Sequence, residues 1–335
     1  MADYAVLGAG SWGTALALVL ARSGHDVRLW AHDPDMARTM AATGYNPRHL
    51  TDIRLPETVR PTVDLAASVA TATTVLVAVP SHAFATTMRA LAPAIAADTP
   101  VVWATKGLDN AGGGLLHDVA AAALPDHPLA ALSGPSFAGE VAHGLPTAIV
   151  LACQDRAVGN RLCADFHDER FRVYLSDDLI GVGLGGAVKN ILAIATGIAD
   201  GLGFGANARS GLVTRGLAEV RRLGAALGAD DRTLTGLAGL GDLMLTCTDD
   251  QSRNRRMGLA LGRGASIDTA TAQIGAVVEG VRTATEVGGL ARRLGVDMPI
   301  CAAVESIITT GRSPMSAAEA LMERRPGAEF DDRLS

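Results

Sequence analysis

Over the first half of the chain, short apolar runs that end at glycine or proline alternate with longer segments of helical spacing. Tyr4-Ala-Val-Leu-Gly8 is the first such run and predicts a buried parallel strand. Residues 14–23 (TALALVLARS) read as a helix stopped by Gly24, and Val27 to Ala31 as a second strand. Residues 74–80 (TVLVAVP) and 100–105 (PVVWAT) predict two further strands, with an alanine-rich helix from about 83 to 97 between them. Ala130 to Ser133 and Thr147 to Ala152 predict two more. Such alternation defines a doubly wound α/β sheet. Past Leu179 the pattern changes to long Ala/Leu/Gly-rich segments with little strand signal. The chain therefore reads as an α/β domain followed by an all-helical one. The boundary is near residues 176 to 182, giving domains 1–179 and 180–335. The polar tail, ERRPGAEFDDRLS, is expected to fray.

Composition narrows the class. With 48% hydrophobic and 19% charged residues the chain is globular rather than disordered. Aromatics make up only 4% beside 38 glycines, so the core must be built from closely packed small aliphatic side chains. A net charge of -6 with the two signs interspersed shows no basic stripe, which argues against a nucleic-acid partner. Cys153, Cys163, Cys247 and Cys301 form no C-x-x-C pair, and the histidines form no H-E-x-x-H. No metal site or disulfide framework is expected, and a reducing cytosol is the natural compartment. The N-terminal apolar run is short, broken by glycine and has no basic region before it. Neither a signal peptide nor a membrane anchor is expected.

Candidate chemistry lies at the ends of the predicted strands. Gly8-Ala9-Gly10-Ser11-Trp12-Gly13 is G-x-G-x-x-G between a strand and a helix, the context a dinucleotide fingerprint requires. Gly8 would make the tight turn, Gly10 would admit a pyrophosphate, and Gly13 would let helix and strand pack. After the second strand come Ala31 and His32, with no carboxylate to repel a 2′-phosphate. This predicts a preference for NADPH, with NADH also accepted; the other reading has Asp33 hold the ribose hydroxyls. Thr105-Lys106-Gly107 places a lysine where open α/β sheets bind ligands, or on an ordinary solvated loop. Gly134-Pro135-Ser136 offers donors after another strand, or is a simple turn. Asp242 lies among glycines and leucines, as a site carboxylate or a helix cap. Gln251-Ser252-Arg253-Asn254-Arg255-Arg256 concentrates guanidiniums that suit phosphate oxygens, or forms a solvated basic face.

One lysine has no obvious partner. Lys189, followed by Asn190, is the only lysine or arginine in the apolar stretch from Ile180 to Ala199. Either its stem snorkels to water or the ammonium is buried and used.

The chain resembles the NAD(P)-dependent glycerol-3-phosphate dehydrogenases of bacteria. The motifs that carry the resemblance are GAGSWGTALA, NPRHL, LPETVRPTVDL, VPSHAF, TKGLD, SGPSFAGEVAHGLPTAIV, GAVKNILAIATGIADGLGFGANARSGLVTRGLAEV, LAGLGDLMLTCTDDQSRNRR, VVEGVRTA and MPI. It implies a Rossmann-type domain followed by an all-helical substrate domain. It also implies NAD(P)H-linked reduction of dihydroxyacetone phosphate to sn-glycerol 3-phosphate, the phospholipid backbone, in the cytoplasm.

By motif position the resemblance makes Lys189 the general acid/base, with burial lowering its pKa, and gives Lys106 a contact with both cofactor and substrate. Asp242 would hold a substrate hydroxyl and the Lys189 ammonium. Gly134 and Ser136 would line the substrate site, and Ser252, Arg253 and Asn254 would grip the phosphate. Ser11, Trp12, His32, Ala138, Arg253, Val277 and Glu279 match cofactor contacts. Gly185, Gly186 and Ala193, on the Lys189 face, would leave room for substrate.

One loop departs from the family pattern. Where Tyr-Leu-Pro-Gly is usual, this chain has His49-Leu50-Thr51-Asp52, which puts a cofactor contact on His49 in question and removes a rigid Pro-Gly. Two competing readings are a same-fold reductase acting on a related phosphorylated or phosphonate ketone and a non-catalytic dinucleotide sensor. The second gives no reason for Lys189, Lys106 and Asp242 to occur together. A thiol-dependent enzyme would need Cys247 to be reactive. A homodimer through the helical domain is compatible with the Ala/Gly-rich helices.

Overall fold

The computed structural model describes residues 2–109, 113–324 and 329. The tail expected to fray lies largely outside them. The chain packs as two units, one from residues up to 109 and 115–183, the other from Gly113, Gly114 and residue 184 onward.

The first unit is built on eight strands: β1 (Asp3–Leu7), β2 (Asp26–Trp30), β3 (Val59–Thr62), β4 (Thr74–Val77), β5 (Val101–Trp103), β6 (Leu129–Ser133), β7 (Thr147–Cys153) and β8 (Phe171–Ser176). They lie in the order β3-β2-β1-β4-β5-β6-β7-β8. β1 to β6 are parallel, β7 runs antiparallel to β6, and β8 is parallel to β7. Helices α1 (Ser11–Arg22), α2 (Pro34–Thr43), α3 (Leu65–Val69), α4 (Ser81–Leu91), α5 (Leu116–Ala123), α6 (Ala138–Ala142) and α7 (Arg156–Phe166) accompany them. Tyr4 to Leu7 and all of β4 and β5 are buried, so their apolar runs reflect strands covered on both faces. Strand order reverses between β1 and β4, the switch point at which such sheets bind ligands, and the glycine fingerprint follows β1 directly.

Two strands, β3 and β8, were not expected. They are the two edges of the sheet, and Arg60, Arg172 and Tyr174 on them face solvent. Half-exposed edges do not need an unbroken apolar run, and Pro61 is tolerated where a strand has one free side.

Among its described residues the second unit is helical. Its elements are α8 (Leu179–Gly201), which begins in the first unit, α9 (Gly205–Leu227), α10 (Asp231–Thr235), α11 (Asp242–Thr248), α12 (Arg253–Gly262), α13 (Ile267–Ile274), α14 (Glu279–Leu294), α15 (Pro299–Thr310) and α16 (Pro314–Met322). A π-helical turn, Leu237–Gly241, leads into α11. α8 is the one helix among the described residues long and apolar enough to cross a membrane, but 89% of that apolar stretch is buried within the protein. A buried carboxylate, Glu219 of α9, accepts N–H bonds from Ile300 and Cys301 in the first turn of α15, at 2.6 and 3.1 Å. All three tryptophans (Trp12, Trp30, Trp103) and all three tyrosines (Tyr4, Tyr45, Tyr174) belong to the first unit.

α8 and α12 cross with backbone against backbone. A Cβ on Gly258 would stand 2.1 Å from the Ile194 carbonyl oxygen, one on Gly197 2.2 Å from that of Arg255, and one on Gly262 2.4 Å from that of Ile198. In an open helix, Gly→Ala stabilises by roughly 1 kcal/mol. Here the forced separation outweighs that gain. Gly258→Ala is expected to destabilise the protein by about 1–3 kcal/mol, read as a fall in the urea midpoint. An unchanged or raised midpoint would show that the crossing is loose.

Candidate active site

Because β1, β2, β4, β5 and β6 are parallel, their carboxyl ends share one edge of the sheet. The glycine fingerprint, His32, Lys106 and Gly134 follow four of those ends. Gly8 has φ +118, and a Cβ there would lie 2.7 Å from the Ala78 carbonyl oxygen. On Gly13 a Cβ would stand 1.8 Å from the Gly8 carbonyl oxygen, so the start of α1 packs directly on the turn. Gly10 is different: no atom lies within 4 Å of its missing side chain. α1 begins at that point with no side-chain cap and no acidic residue in its first turn. Free first-turn N–H groups facing a space that a side chain would fill suit a dinucleotide pyrophosphate.

His32 is exposed beyond β2, with its ring 6.0 Å from that of Trp30. Asp33, the other reading for this position, caps α2 by accepting the Asp35 and Met36 N–H groups, and pairs with Arg48 at 2.7 Å. Those backbone bonds, with Arg48, hold its carboxyl below the ordinary range. The structure puts His49 beside the fingerprint, with Nδ1 3.3 Å from Ser11 Oγ. The rigidity expected to be lost with Pro-Gly is partly replaced, because Asp52 bonds His143 of the α6 C-cap at 2.9 Å.

Lys106, Gly134 and Ser136 come together. Lys106 Nζ donates to the Gly134 carbonyl at 3.1 Å and Ser136 Oγ donates to the same oxygen at 2.9 Å. Gly134 has φ +148 and sits against Ile149, so the turn is reserved for glycine. Ala138 opens α6 just beyond it.

In the second unit Lys189 is only 8% exposed and does not snorkel. Its Nζ lies 2.5 Å from Asp242 Oδ1 and 3.1 Å from Thr246 Oγ1. Removal of water from the ammonium is opposed by a carboxylate in contact with it. Asp242 is not the cap of α11: Gly241 holds that position, and the Asp242 carboxylate, 1% exposed, turns to the lysine. The glycine-rich π turn makes this fit, since a Cβ on Gly185 would stand 2.4 Å from the Ala238 carbonyl oxygen. Gly185 therefore admits the turn. Gly186 and Ala193 are buried as well. Sequence reasoning missed Thr246, although its spacing four residues after Asp242 was a signal.

Asn254 ties three helices together. Its Nδ2 donates to Asn190 Oδ1 of α8, and its Oδ1 accepts the Gly280 N–H in the first turn of α14, both at 2.9 Å. The start of α12, capped by Ser252, therefore lies beside the start of α14, next to the residue that follows Lys189. Two helix N-termini gathered here, with the exposed Arg253, suit an anion. Val277 is exposed just before α14 and Glu279 opens it. Arg255 does not join them. It turns inward to Asp200 (2.6 Å), Asp250 (2.8 Å) and the Cys247 carbonyl, so it supplies no fork for a phosphate; Arg256 is exposed. Burial pushes the Cys247 thiol up to about 12, which leaves it inert at neutral pH.

A doubly wound sheet with a glycine fingerprint at its switch point, and a buried lysine–aspartate pair in a helical unit, define a dinucleotide-dependent oxidoreductase. The family can be stated more narrowly. Residues 3–159 match the model of the NAD-dependent glycerol-3-phosphate dehydrogenase N-terminus and residues 178–319 that of its C-terminus. The chain is 56% identical to a glycerol-3-phosphate dehydrogenase [NAD(P)+] of Halorhodospira halophila, over 98% of each chain. It is 52% identical to one of Escherichia coli over its whole length and 98% of that protein. A crystal structure of glycerol-3-phosphate dehydrogenase from Coxiella burnetii superposes with a TM-score of 0.94 at 50% identity, covering 96% of this chain and 99% of that one. This chain belongs to the NAD-dependent glycerol-3-phosphate dehydrogenase family.

Beside the candidate site, burial would raise the Asp200 carboxyl, but bonds from Arg209 and Arg255 outweigh it and hold the group below the ordinary range. A carboxyl depressed by folding contributes stability above its unfolded pKa and loses it as pH falls through the folded one. Asp200→Asn is expected to lower the urea midpoint at neutral pH and to flatten its fall below about pH 4. An unchanged slope on the acid side would count against this account.

Proposed function

We propose that the two units divide the labour of one reaction. That reaction is the reversible NAD(P)-linked reduction of dihydroxyacetone phosphate to sn-glycerol 3-phosphate, the backbone of glycerophospholipids. The observation that carries the residue assignment is the buried contact of Lys189 with Asp242 and Thr246 inside an apolar helix.

On this reading the first unit holds the dinucleotide. Gly8, Gly10, Ser11, Trp12 and Gly13 cradle its pyrophosphate, and His32 takes the adenosine ribose. His49, Lys106, Ala138, Arg253, Val277 and Glu279 carry further cofactor contacts. When bound, the nicotinamide supplies hydride to the ketone carbon.

Lys189 donates the proton to the oxygen that becomes the new hydroxyl, and takes it back in the oxidative direction. Asp242 keeps the ammonium charged and aimed while accepting a bond from a substrate hydroxyl. Lys106, fixed against the Gly134 carbonyl, polarises the ketone beside Ser136. Arg253 holds the phosphate together with the N-terminal amides of α12. Ser252 and Asn254 act mainly by fixing that turn, since the Ser252 hydroxyl accepts the Arg255 N–H and both ends of the Asn254 amide are bonded. The proposal includes NADPH as the preferred cofactor, because Asp33 is engaged by α2 and Arg48 and leaves His32 facing the ribose. It also includes a cytoplasmic homodimer as the working form, which sedimentation would check.

Reduction of dihydroxyacetone phosphate, followed as loss of nicotinamide absorbance with NADPH and NADH in parallel, tests the reading. Lys189→Ala is expected to lower kcat by about 10²- to 10⁴-fold while cofactor still binds. Arg253→Ala is expected to raise the KM for the triose phosphate by roughly tenfold or more, with a smaller effect on an unphosphorylated ketone. Full activity in Lys189→Ala would overturn the assignment of the proton donor.

A further inference from the structure

We infer that Asn46, which is itself assigned no cofactor contact above, is a positioning residue for the dinucleotide cradle. The inference rests on the reading of Gly8 to Gly13 as that cradle. Asn46 is fully buried. Its Nδ2 donates to the Ala9 carbonyl at 2.9 Å and to Thr14 Oγ1 at 3.0 Å. Its Oδ1 accepts the N–H groups of Arg48 at 3.1 Å and His49 at 3.0 Å. One amide thus joins the fingerprint turn, the first helical turns of α1 and the loop that carries His49.

The geometry gives this a specific consequence. The Ala9–Gly10 peptide is planar, so fixing the Ala9 oxygen fixes the direction of the Gly10 N–H on the opposite side. That N–H borders the open space in front of Gly10, where nothing approaches within 4 Å of the missing side chain. A bond made behind the turn therefore aims a donor in front of it. The other end of the amide sets the backbone at His49, whose ring reaches Ser11 in the first turn of α1. The loop is closed at its base by the Leu55 N–H to the Gly44 carbonyl at 2.8 Å, and it contains Leu50 at φ +58. A non-glycine residue in that region is strained and persists only where its surroundings hold it. Four bonds from one buried amide supply that hold.

The test measures Kd for NADPH and for NADH by nicotinamide fluorescence, alongside steady-state kinetics, for the full-length protein and two variants. Asn46→Ala removes all four bonds, and Thr14→Val removes one while keeping the shape of the side chain. Asn46→Ala is expected to weaken both cofactors alike, by about tenfold or more, since one to two net hydrogen bonds account for that factor. The KM for dihydroxyacetone phosphate is expected to stay close to the wild-type value at saturating cofactor. Thr14→Val is expected to show the same pattern, at roughly two- to fivefold. Unchanged Kd values in a folded Asn46→Ala protein would overturn the inference. So would loss of one cofactor only, which would place Asn46 at the adenosine ribose instead. Should Asn46→Ala fail to fold, unchanged Kd values in Thr14→Val would overturn it. Failure of the wild-type protein to bind either dinucleotide would overturn the reading of the cradle itself, and the wild-type titration separates the two failures.

Discussion

An ammonium placed midway along an apolar helix must be met by an opposite charge, and much of the second unit is arranged around that requirement. Removing a lysine from water costs several kcal/mol, and the attraction of a single carboxylate roughly balances it. The Lys189–Asp242 pair is therefore a poor way to stabilise a helical bundle, since two apolar side chains of similar volume would do as well. What the pair needs is access for one carboxylate at close range. The π turn before α11 and the bare backbone of Gly185 provide it. Once Asp242 is there, Thr246 one turn further on completes the contact. The local sequence, glycines around one aspartate and an apolar helix around one lysine, follows from the cost of this burial.

The same economy governs the paired helix starts of that unit. α12 and α14 begin beside each other because one asparagine bonds to both α8 and α14. Their first-turn amides and Arg253 offer positive potential without burying a second cation. The guanidinium that is buried, Arg255, is neutralised by two aspartates and plays a structural part.

Much of the fold was legible in the sequence where burial on both faces enforces unbroken apolar runs, as in β1 and β4. The edges were not, because β3 and β8 need only half their residues apolar. In the candidate site, Gly8, Gly10 and Gly13 could be read because their spacing falls between a strand and a helix. Lys106, Gly134 and Ser136 could be read because strand ends share an edge. Arg255 could not be distinguished from Arg253 or Arg256, since a run of guanidiniums carries no sign of which one turns inward. Nor could Gly185, whose neighbour is a carbonyl more than fifty residues away in the chain. Asn46 was invisible for a related reason: three of its four partners are backbone atoms, and backbone leaves no trace in composition.

The aromatic residues are also unevenly shared. Every tryptophan and tyrosine lies in the unit that carries the glycine fingerprint, and Trp12 belongs to the fingerprint itself. Under ultraviolet light the helical unit, which holds Lys189, Asp242 and Arg253, is nearly dark. Intrinsic emission thus reports on the first unit alone, and the reduced nicotinamide absorbs in the band where indole emits. Circular dichroism, by contrast, draws largely on the helices. Emission comes from the first unit alone while circular dichroism draws on the helices of both, most of them in the second. The agreement or divergence of the two signals during unfolding measures how tightly the units are coupled.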